Sequence, residues 1–327
     1  MGPHPAVAAV RLAIRHSLDD IEPGSTLLVA CSGGADSLAL LAGTVFESRS
    51  GAHTVVGVTV DHGLQPGSAE RADAVVRQMT GLGSTVSESV RVTIGTAGGP
   101  EAAARSARYD ALSRSAARHD AATVLLGHTR DDQAETVLLG LARGSGARSL
   151  SGMASVNGIY RRPLLGLGRE GTDAACRAEG IDVWADPHNT DPSYARVRVR
   201  RDVLPVLETH LGPGVADALA RTARLLRDDA DALDDLAARA AHEARDPDGG
   251  LLVESLCAQP PAVRRRVIRT AAVDAGCPAT ELFLTHVDAV DALLTDWHGQ
   301  QWVDLPGPVR ARRAQGSLRF VRGPVAG

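Results

Sequence analysis

The sequence predicts an α/β protein, a parallel sheet covered by helices on both faces, followed by a long connector helix and a small α+β domain. Three features of the pattern predict it. Apolar runs of strand length at residues 26–31 and 55–60, within 84–94 and at 123–126 alternate with helical stretches, the order that builds βαβ units. Residues 214–245 then keep an Ala- and Leu-rich helical pattern studded with Asp228, Asp229, Asp231, Asp234 and Asp235. Asp246-Pro247-Asp248-Gly249-Gly250 breaks that helix, and two helical stretches, 261–275 and 280–295, precede strands at 301–305 and around 309–321. These changes of pattern divide the chain into residues 1–212, 213–250 and 251–327.

Composition narrows the function classes. A 327-residue chain with 44% hydrophobic and 23% charged residues suits a soluble globular protein with room for two cores. Aromatic residues make up 3%, so the cores rest on Ala, Leu and Val, and widespread base stacking is excluded. A formal net charge of −4 argues against indiscriminate coating of nucleic acid and leaves room for local basic patches. The chain contains no lysine, so phosphate charge must meet Arg, backbone amides or a metal. Cys31, Cys176, Cys257 and Cys277 stand singly, which removes a zinc knuckle, an iron–sulfur cluster and a thioredoxin-type pair, and leaves reduced thiols as the expectation. Arg11, Arg15 and the acids after them interrupt any signal-peptide core, and no apolar run reaches the ~20 residues a bilayer crossing needs. The expected location is the cytoplasm.

In chain order, residues 5–19 read as an amphipathic helix that Pro23-Gly24 end before the first strand. That strand runs into Ser32-Gly33-Gly34-Ala35-Asp36-Ser37, and Leu38-Ala39-Leu40-Leu41-Ala42 continues as a helix. At such a turn the free helix N–H groups and the positive dipole end hold an anion, and paired glycines let backbone and phosphate approach closely. A Walker loop is excluded because no Gly-Lys-Ser/Thr follows. The second strand leads into Asp61-His62-Gly63-Leu64, and a helix over 69–80 follows. Gly98-Gly99-Pro100 opens the helix that carries Arg105, Arg108 and Tyr109.

The fourth strand delivers Gly127-His128-Thr129-Arg130-Asp131-Asp132-Gln133-Ala134-Glu135-Thr136 to the start of another helix. Asp132 and Glu135, three apart, share one face of it. Carboxylates there can complement the helix dipole, hold magnesium against ATP oxygens or neutralise a cationic substrate. The turns after strands one, two and four all lie at the carboxyl ends of a parallel sheet, where ligands bind.

The hexapeptide 32–37 resembles the pyrophosphate-binding loop of the N-type ATP pyrophosphatases. Together with Leu126-Gly127-His128-x-x-Asp131-Asp132-Gln133-x-Glu135-Thr136, Arg143-Gly144-Ser145-Gly146, Ser151-Gly152-Met153, Asp186-Pro187-x-Asn189 and Tyr194-x-Arg196, it makes the chain similar to the tRNA(Ile)-lysidine synthase family over roughly residues 26 to 205. The resemblance implies an adenine nucleotide alpha hydrolase-like fold and cleavage of ATP, with Mg2+, between the α and β phosphates. The adenylated group would be the wobble cytidine of tRNA(Ile) with a CAU anticodon, and the side-chain amine of free L-lysine would displace AMP at C2, changing codon reading from AUG to AUA.

By motif, the resemblance places Ser32, Gly33, Gly34, Ala35, Asp36 and Ser37 on the nucleotide, with Asp61, His62 and His128 completing that site. It puts Asp36 and Asp131 on the metal, Asp132 and Glu135 on the lysine ammonium, Arg196 with them in the lysine site and suited to a carboxylate or phosphate, and Arg105 and Arg108 near the target base. Asp36, Asp132, Glu135 and Arg105 are thereby the catalytic candidates. No membrane and no obligate protein partner is implied. Thr129 stands where a second His is common in the family, Gln65 where Arg is common, Ser149 in place of a frequent Gly and Val197 in place of a usual Asn.

The tail adds an RNA signal of its own. From Leu305 to Gly327 there is no acidic residue, while Arg310, Arg312, Arg313, Arg319 and Arg322 are present, a pattern suited to localised phosphate contact. Arg310, Arg312 and Arg313 therefore join Arg105 and Arg108 as tRNA-binding candidates. Arg264, Arg265, Arg266 and Arg269 form a second basic cluster that reads equally as a solvated face. Two other functions stay open: a tRNA thiolation enzyme, which needs a sulfur carrier such as a reactive Cys31, and a noncatalytic ATP- and tRNA-binding protein, which would yield no AMP.

Overall fold

The computed structural model describes residues 2–63, 67–95, 99–144, 146–184 and 191–322, so Leu64, Gln65, Ser145 and the Asp186-Pro187-x-Asn189 motif lie outside the described residues. The chain forms two compact units, Met1–Arg227 and Asp228–Gly327.

In the first unit the strands are β1 (Thr26–Ala30), β2 (Thr54–Asp61), β3 (Val86–Arg91), β4 (Ala121–Leu126), β5 (Val156–Asn157) and β6 (Tyr160–Arg161). They form one sheet in the order β3-β2-β1-β4-β6-β5, parallel throughout except for the short antiparallel pair β5-β6. The helices are α1 (Pro5–Leu18), α2 (Ala35–Gly51), α3 (Ser68–Gly81), α4 (Pro100–Arg118), α5 (Arg130–Ala142), α6 (Ala147–Leu150), α7 (Arg169–Ala178), α8 (Ala195–Arg198), a π-helical turn Val199–Val203, α9 (Leu204–Leu211) and the first part of α10 (Val215–Glu243).

Strand residues alternate between two cores. Leu27, Val29, Val55 and Leu125 pack with Ile14 of α1, Leu38 and Leu41 of α2 and Met79 of α3. Leu28, Val56, Val58, Val124 and Leu126 face the other way, onto Leu112 and Ala116 of α4. Each such Leu or Val contributes about 1.5–3 kcal/mol of burial, which is why the central strands read as nearly continuous apolar runs. The chain moves outward from β1 to β2 and β3, then returns to place β4 on the other side of β1. The order therefore reverses between β1 and β4, and the crevice at their carboxyl ends is the site the topology creates.

In the second unit, β7 (Leu251–Leu252), β8 (Trp302–Leu305), β9 (Val309–Ala314) and β10 (Ser317–Arg322) make an antiparallel sheet ordered β7-β10-β9-β8, accompanied by α11 (Val253–Cys257), α12 (Pro261–Asp274) and α13 (Leu284–Thr295). The stretch expected as one strand region around 309–321 is a hairpin. Gln315 and Gly316, at φ 50° and 78°, make the left-handed turn that suits the twist of paired strands. Val303, Val309, Ala311, Leu318 and Phe320 pack inward with Leu256, Val267, Ile268 and Val290. The stretch expected as a separate connector is shared, because the division between units falls within α10. No helix among the described residues is long and apolar enough to cross a membrane.

Candidate active site

Two helix starts meet at the reversal point. After β1 the chain turns into α2 through Gly33, whose φ of 84° suits only glycine and where a Cβ would lie 2.8 Å from Val75 Cγ2. Gly34 caps α2 in an extended conformation with no side-chain bond to the first-turn amides. Ser32 is exposed and Gly34 half-exposed, so the turn is open to solvent. After β4, Gly127 lies against α2: a Cβ there would come within 3.0 Å of the Asp36 carbonyl carbon and oxygen. That missing side chain sets the start of α5 beside the start of α2.

Ser37, expected on the nucleotide, is bonded within the turn itself. Its buried hydroxyl accepts from the Ser32 amide at 3.1 Å and donates to the Gly34 carbonyl at 2.9 Å, so it holds the turn in shape.

The acids gather around two arginines. Asp36 accepts from the Thr172 hydroxyl and from Arg169 Nε at 3.4 Å. Burial lifts its pKa above the usual carboxylate range, against the pull of Thr172 and Arg169. Asp132 Oδ2 accepts from the Thr129 amide at 2.8 Å and hydroxyl at 3.1 Å, while Oδ1 faces Arg169 Nη2 at 3.0 Å and Arg200 Nη2 at 3.5 Å. Burial alone would raise Asp132; Arg169, the Thr129 amide, His128 and Arg200 together hold it below the usual range. Thr129 is thus the N-terminal residue that Asp132 caps, which gives a reason for Thr at a place where the family commonly has His.

Glu135 has a fully buried side chain, bidentate with Arg200 at 2.6 and 3.2 Å, and lies 3.6 Å from Arg169 and 3.9 Å from Arg196. Arg196 also reaches the Thr136 hydroxyl at 3.3 Å. Arg169, Thr172 and Arg200 were not among the sequence candidates. Arg200 stood in the run Arg196, Arg198, Arg200 and Arg201, whereas Arg169 and Thr172 reach the site only through the return of α7.

Asp131, expected on a metal, accepts from the Arg169 amide at 2.8 Å and so caps α7. Among the described residues no three His, Cys, Asp or Glu side chains gather as a metal-binding group. Asp36 alone suits a magnesium ion held chiefly by phosphate oxygens and water.

The opposite wall is cationic. His128 is driven down to about 3 by burial and by Arg108, Arg162 and Arg105, against the attraction of Asp132, so it is neutral at neutral pH. His62 is lowered by burial and by Arg108. Arg108 is itself lowered by burial and by Arg105, Arg196 and Arg162, and among the described residues it has no carboxylate partner. The Nδ1 atoms of His62 and His128 and the Nε atoms of Arg108 and Arg162 are buried without a hydrogen-bond partner. Arg105 lies over the Tyr109 ring at 4.9 Å, and the Tyr109 hydroxyl accepts from Arg162 at 3.2 Å. Asp61 accepts from the Gly63 amide at 2.9 Å and faces Arg91 at 3.6 Å, which shapes the turn after β2. The unpaired buried Nε–H groups of Arg108 and Arg162 call for an acceptor, which an anion supplies.

Two further motif segments have structural roles. Gln133 bonds both the amide and the carbonyl of Met153, at 2.6 and 2.8 Å, and a Cβ on Gly152 would strike Gln133 Oε1. In the second unit, Arg313 donates to the Leu293 carbonyl at 2.6 Å and so caps α13 instead of standing free for RNA. Arg310 pairs with Asp304 at 2.6 Å and Arg319 with Asp246 and Asp248, whereas Arg312 is exposed and unpartnered among the described residues. The second basic cluster is spent internally: Arg264 on Asp291, Arg265 on Asp288, Arg266 on Asp234 and Arg269 on the Ala279 and Leu282 carbonyls.

An open glycine turn at the reversal point of a parallel sheet, with acids on one side and unpaired cations on the other, defines a PP-loop protein. Residues 8–207 match the family model described as PP-loop domain, and residues 251–319 the one described as TilS substrate binding domain. The chain is 54% identical to the tRNA(Ile)-lysidine synthase of Streptomyces coelicolor, covering 99% of this chain and 100% of that protein, and 56% identical to that of Thermobifida fusca, covering 97% and 98%. It belongs to the tRNA(Ile)-lysidine synthase family. A solved U34-tRNA thiolase from Methanococcus maripaludis superposes with a TM-score of 0.56 at 19% identity, covering 68% of this chain and 80% of that one, a likeness of fold alone.

Proposed function

We propose that this protein joins free L-lysine to C2 of the wobble cytidine in the CAU anticodon of tRNA(Ile), using ATP and releasing AMP and pyrophosphate in the cytoplasm. The observation that carries the reading is the meeting of an uncapped, solvent-open helix start with a carboxylate pair and with buried, unpaired cationic donors, in a chain whose full-length relatives bear that enzyme's name. Residues 1–212 would carry the chemistry, 213–250 connect, and 251–327 bind tRNA.

The turn at 32–34 and the dipole of α2 take the departing pyrophosphate, and Asp36 contributes one carboxylate to the Mg2+ that arrives with ATP. Neutral His128, Arg108 and Arg105 line the place for phosphate charge near the target base, where the unmet Nε–H of Arg108 gains a partner. Asp132 takes the lysine ammonium, and Arg196 the lysine carboxylate. An amine of unperturbed pKa ~10.4 must lose a proton before attack, and Asp132 is the ionised acceptor nearest to hand.

No observation favours thiolation. Cys31 is buried with its thiol pushed up by burial, and Cys176 is pushed up to about 12. The test is mass analysis of nucleosides from tRNA incubated with the protein, ATP and lysine. Lysidine with stoichiometric AMP supports the reading. Equal incorporation of arginine or glycine, a thiolated base, or binding without AMP would each refute it.

A further inference from the structure

One guanidinium serves both pockets. Arg169 Nε lies 3.4 Å from Asp36 Oδ2 at the start of α2, while Nη2 lies 3.0 Å from Asp132 Oδ1 and Nη1 3.6 Å from Glu135 Oε1 near the start of α5. Its own amide is tethered to Asp131, so the backbone is anchored at the start of α7, while the side chain is a quarter exposed and held only by the three acids. Around it the other acceptors are occupied. Arg200 holds Glu135 in a bidentate pair, and the Thr129 amide and hydroxyl hold Asp132 Oδ2. Asp132 Oδ1 is the acid oxygen least taken up by other bonds, with Arg200 at 3.5 Å and Arg169 sitting closer at 3.0 Å.

We propose that Arg169 gates the amine site: polyphosphate arriving at the start of α2 draws its guanidinium off Asp132, so that nucleotide binding opens the place the amine takes. This rests on the reading that the turn takes ATP and Asp132 takes lysine. Without nucleotide, Asp132 and Glu135 face both Arg169 and Arg200, and the acid pair is neutralised. With Arg169 turned to phosphate, Asp132 keeps only the more distant Arg200, which is already bidentate with Glu135, and the pocket gains one unit of negative charge for one ammonium. Arg196, at 3.9 Å from Glu135, stays available for the amino acid's own carboxylate. Each ligand then strengthens the other by the same factor.

The test measures lysine affinity by equilibrium dialysis, with and without an ATP analogue bearing a methylene bridge between the α and β phosphorus atoms, in the presence of Mg2+. Wild type should bind lysine ~10-fold more tightly with the analogue, within the usual range of coupling between sites. Arg169→Gln should gain ~10-fold in lysine affinity without nucleotide and lose the dependence on it, an effect that a merely structural role would not produce. Arg169→Lys, which keeps the charge and guards against misfolding, should bind the analogue with reduced coupling. A wild-type ratio of one, or the full wild-type ratio in Arg169→Gln, overturns the gate. Failure of wild type to bind lysine under any condition instead overturns the underlying ligand reading, and the gate with it.

Discussion

Asp36 and His128 are the side chains on which the proposed chemistry can be separated from folding. Asp36→Ala removes the carboxylate offered to the metal and leaves the turn's own bonds, made by Ser37, in place. Its expected effect is a loss of pyrophosphate release of ~10²-fold or more with folding retained, measured by single-turnover kinetics beside a thermal melt. A noncatalytic protein would have no such turnover to lose. His128 makes a pH prediction. Its folded pKa of about 3 lies below the ordinary ~6.5, so between these values the unfolded chain binds a proton that the folded chain refuses. Stability therefore falls as the pH drops through that window, by up to about 1.4 kcal/mol per pH unit from this group. His128→Asn should flatten the slope of urea-unfolding free energy between about pH 4 and pH 5.5 by close to one proton; an unchanged slope would show that the imidazole is not held neutral. The glycine turn and the Asp132–Glu135 pair were legible because each is contiguous and follows a strand. Arg169, Thr172 and Arg200 were not, because no local spacing reports that α7 and the π-helical turn come back to the same acids.

At the scale of elements, the site depends on how closely α2 and α5 can begin side by side. Gly127 makes that approach, and Gly127→Ala places a methyl 3.0 Å from the backbone of Asp36, which cannot move aside as a side chain would. The expected cost is about 1–3 kcal/mol, with reduced ATP affinity as the two helix starts are pushed apart, read by denaturant titration and by nucleotide binding. Gly166→Ala is the control, since nothing lies within 4 Å of its Cβ and its backbone is outside the left-handed region. The long elements were legible for related reasons. The runs that became β1, β2 and β4 are buried on both faces, and α10 repeats its small buried residues Ala223, Ala230 and Ala237 every seven positions. The strands β5 and β6 are two residues each and have no period to read. The division of the chain within α10 was equally hidden, because a continuous helix bears no mark where its packing partners change.

Across the whole molecule, the question is how a chain with a formal net charge of −4 can hold an RNA. Most of its arginines are spent on their own fold, as Arg264, Arg266, Arg310, Arg313 and Arg319 show. A count of basic residues in the tail therefore overstates the charge offered to phosphate. Arg312 and Arg313, adjacent in β9, point to opposite faces of the sheet and make the distinction testable. Arg312 is exposed and pairs across the sheet with exposed Trp302, whereas Arg313 closes the end of α13. If the second unit binds tRNA through its outer face, Arg312→Ala should weaken binding and lower the magnitude of the log–log salt slope by ~0.7–0.9, the value of one phosphate contact, with the melting temperature unchanged. Arg313→Ala should do the reverse, lowering the melting temperature through the lost helix cap while leaving the salt slope alone. Equal salt slopes for wild type and Arg312→Ala would place the phosphate contacts of this protein elsewhere, with Arg105 and Arg108 beside the PP-loop as the next residues to titrate.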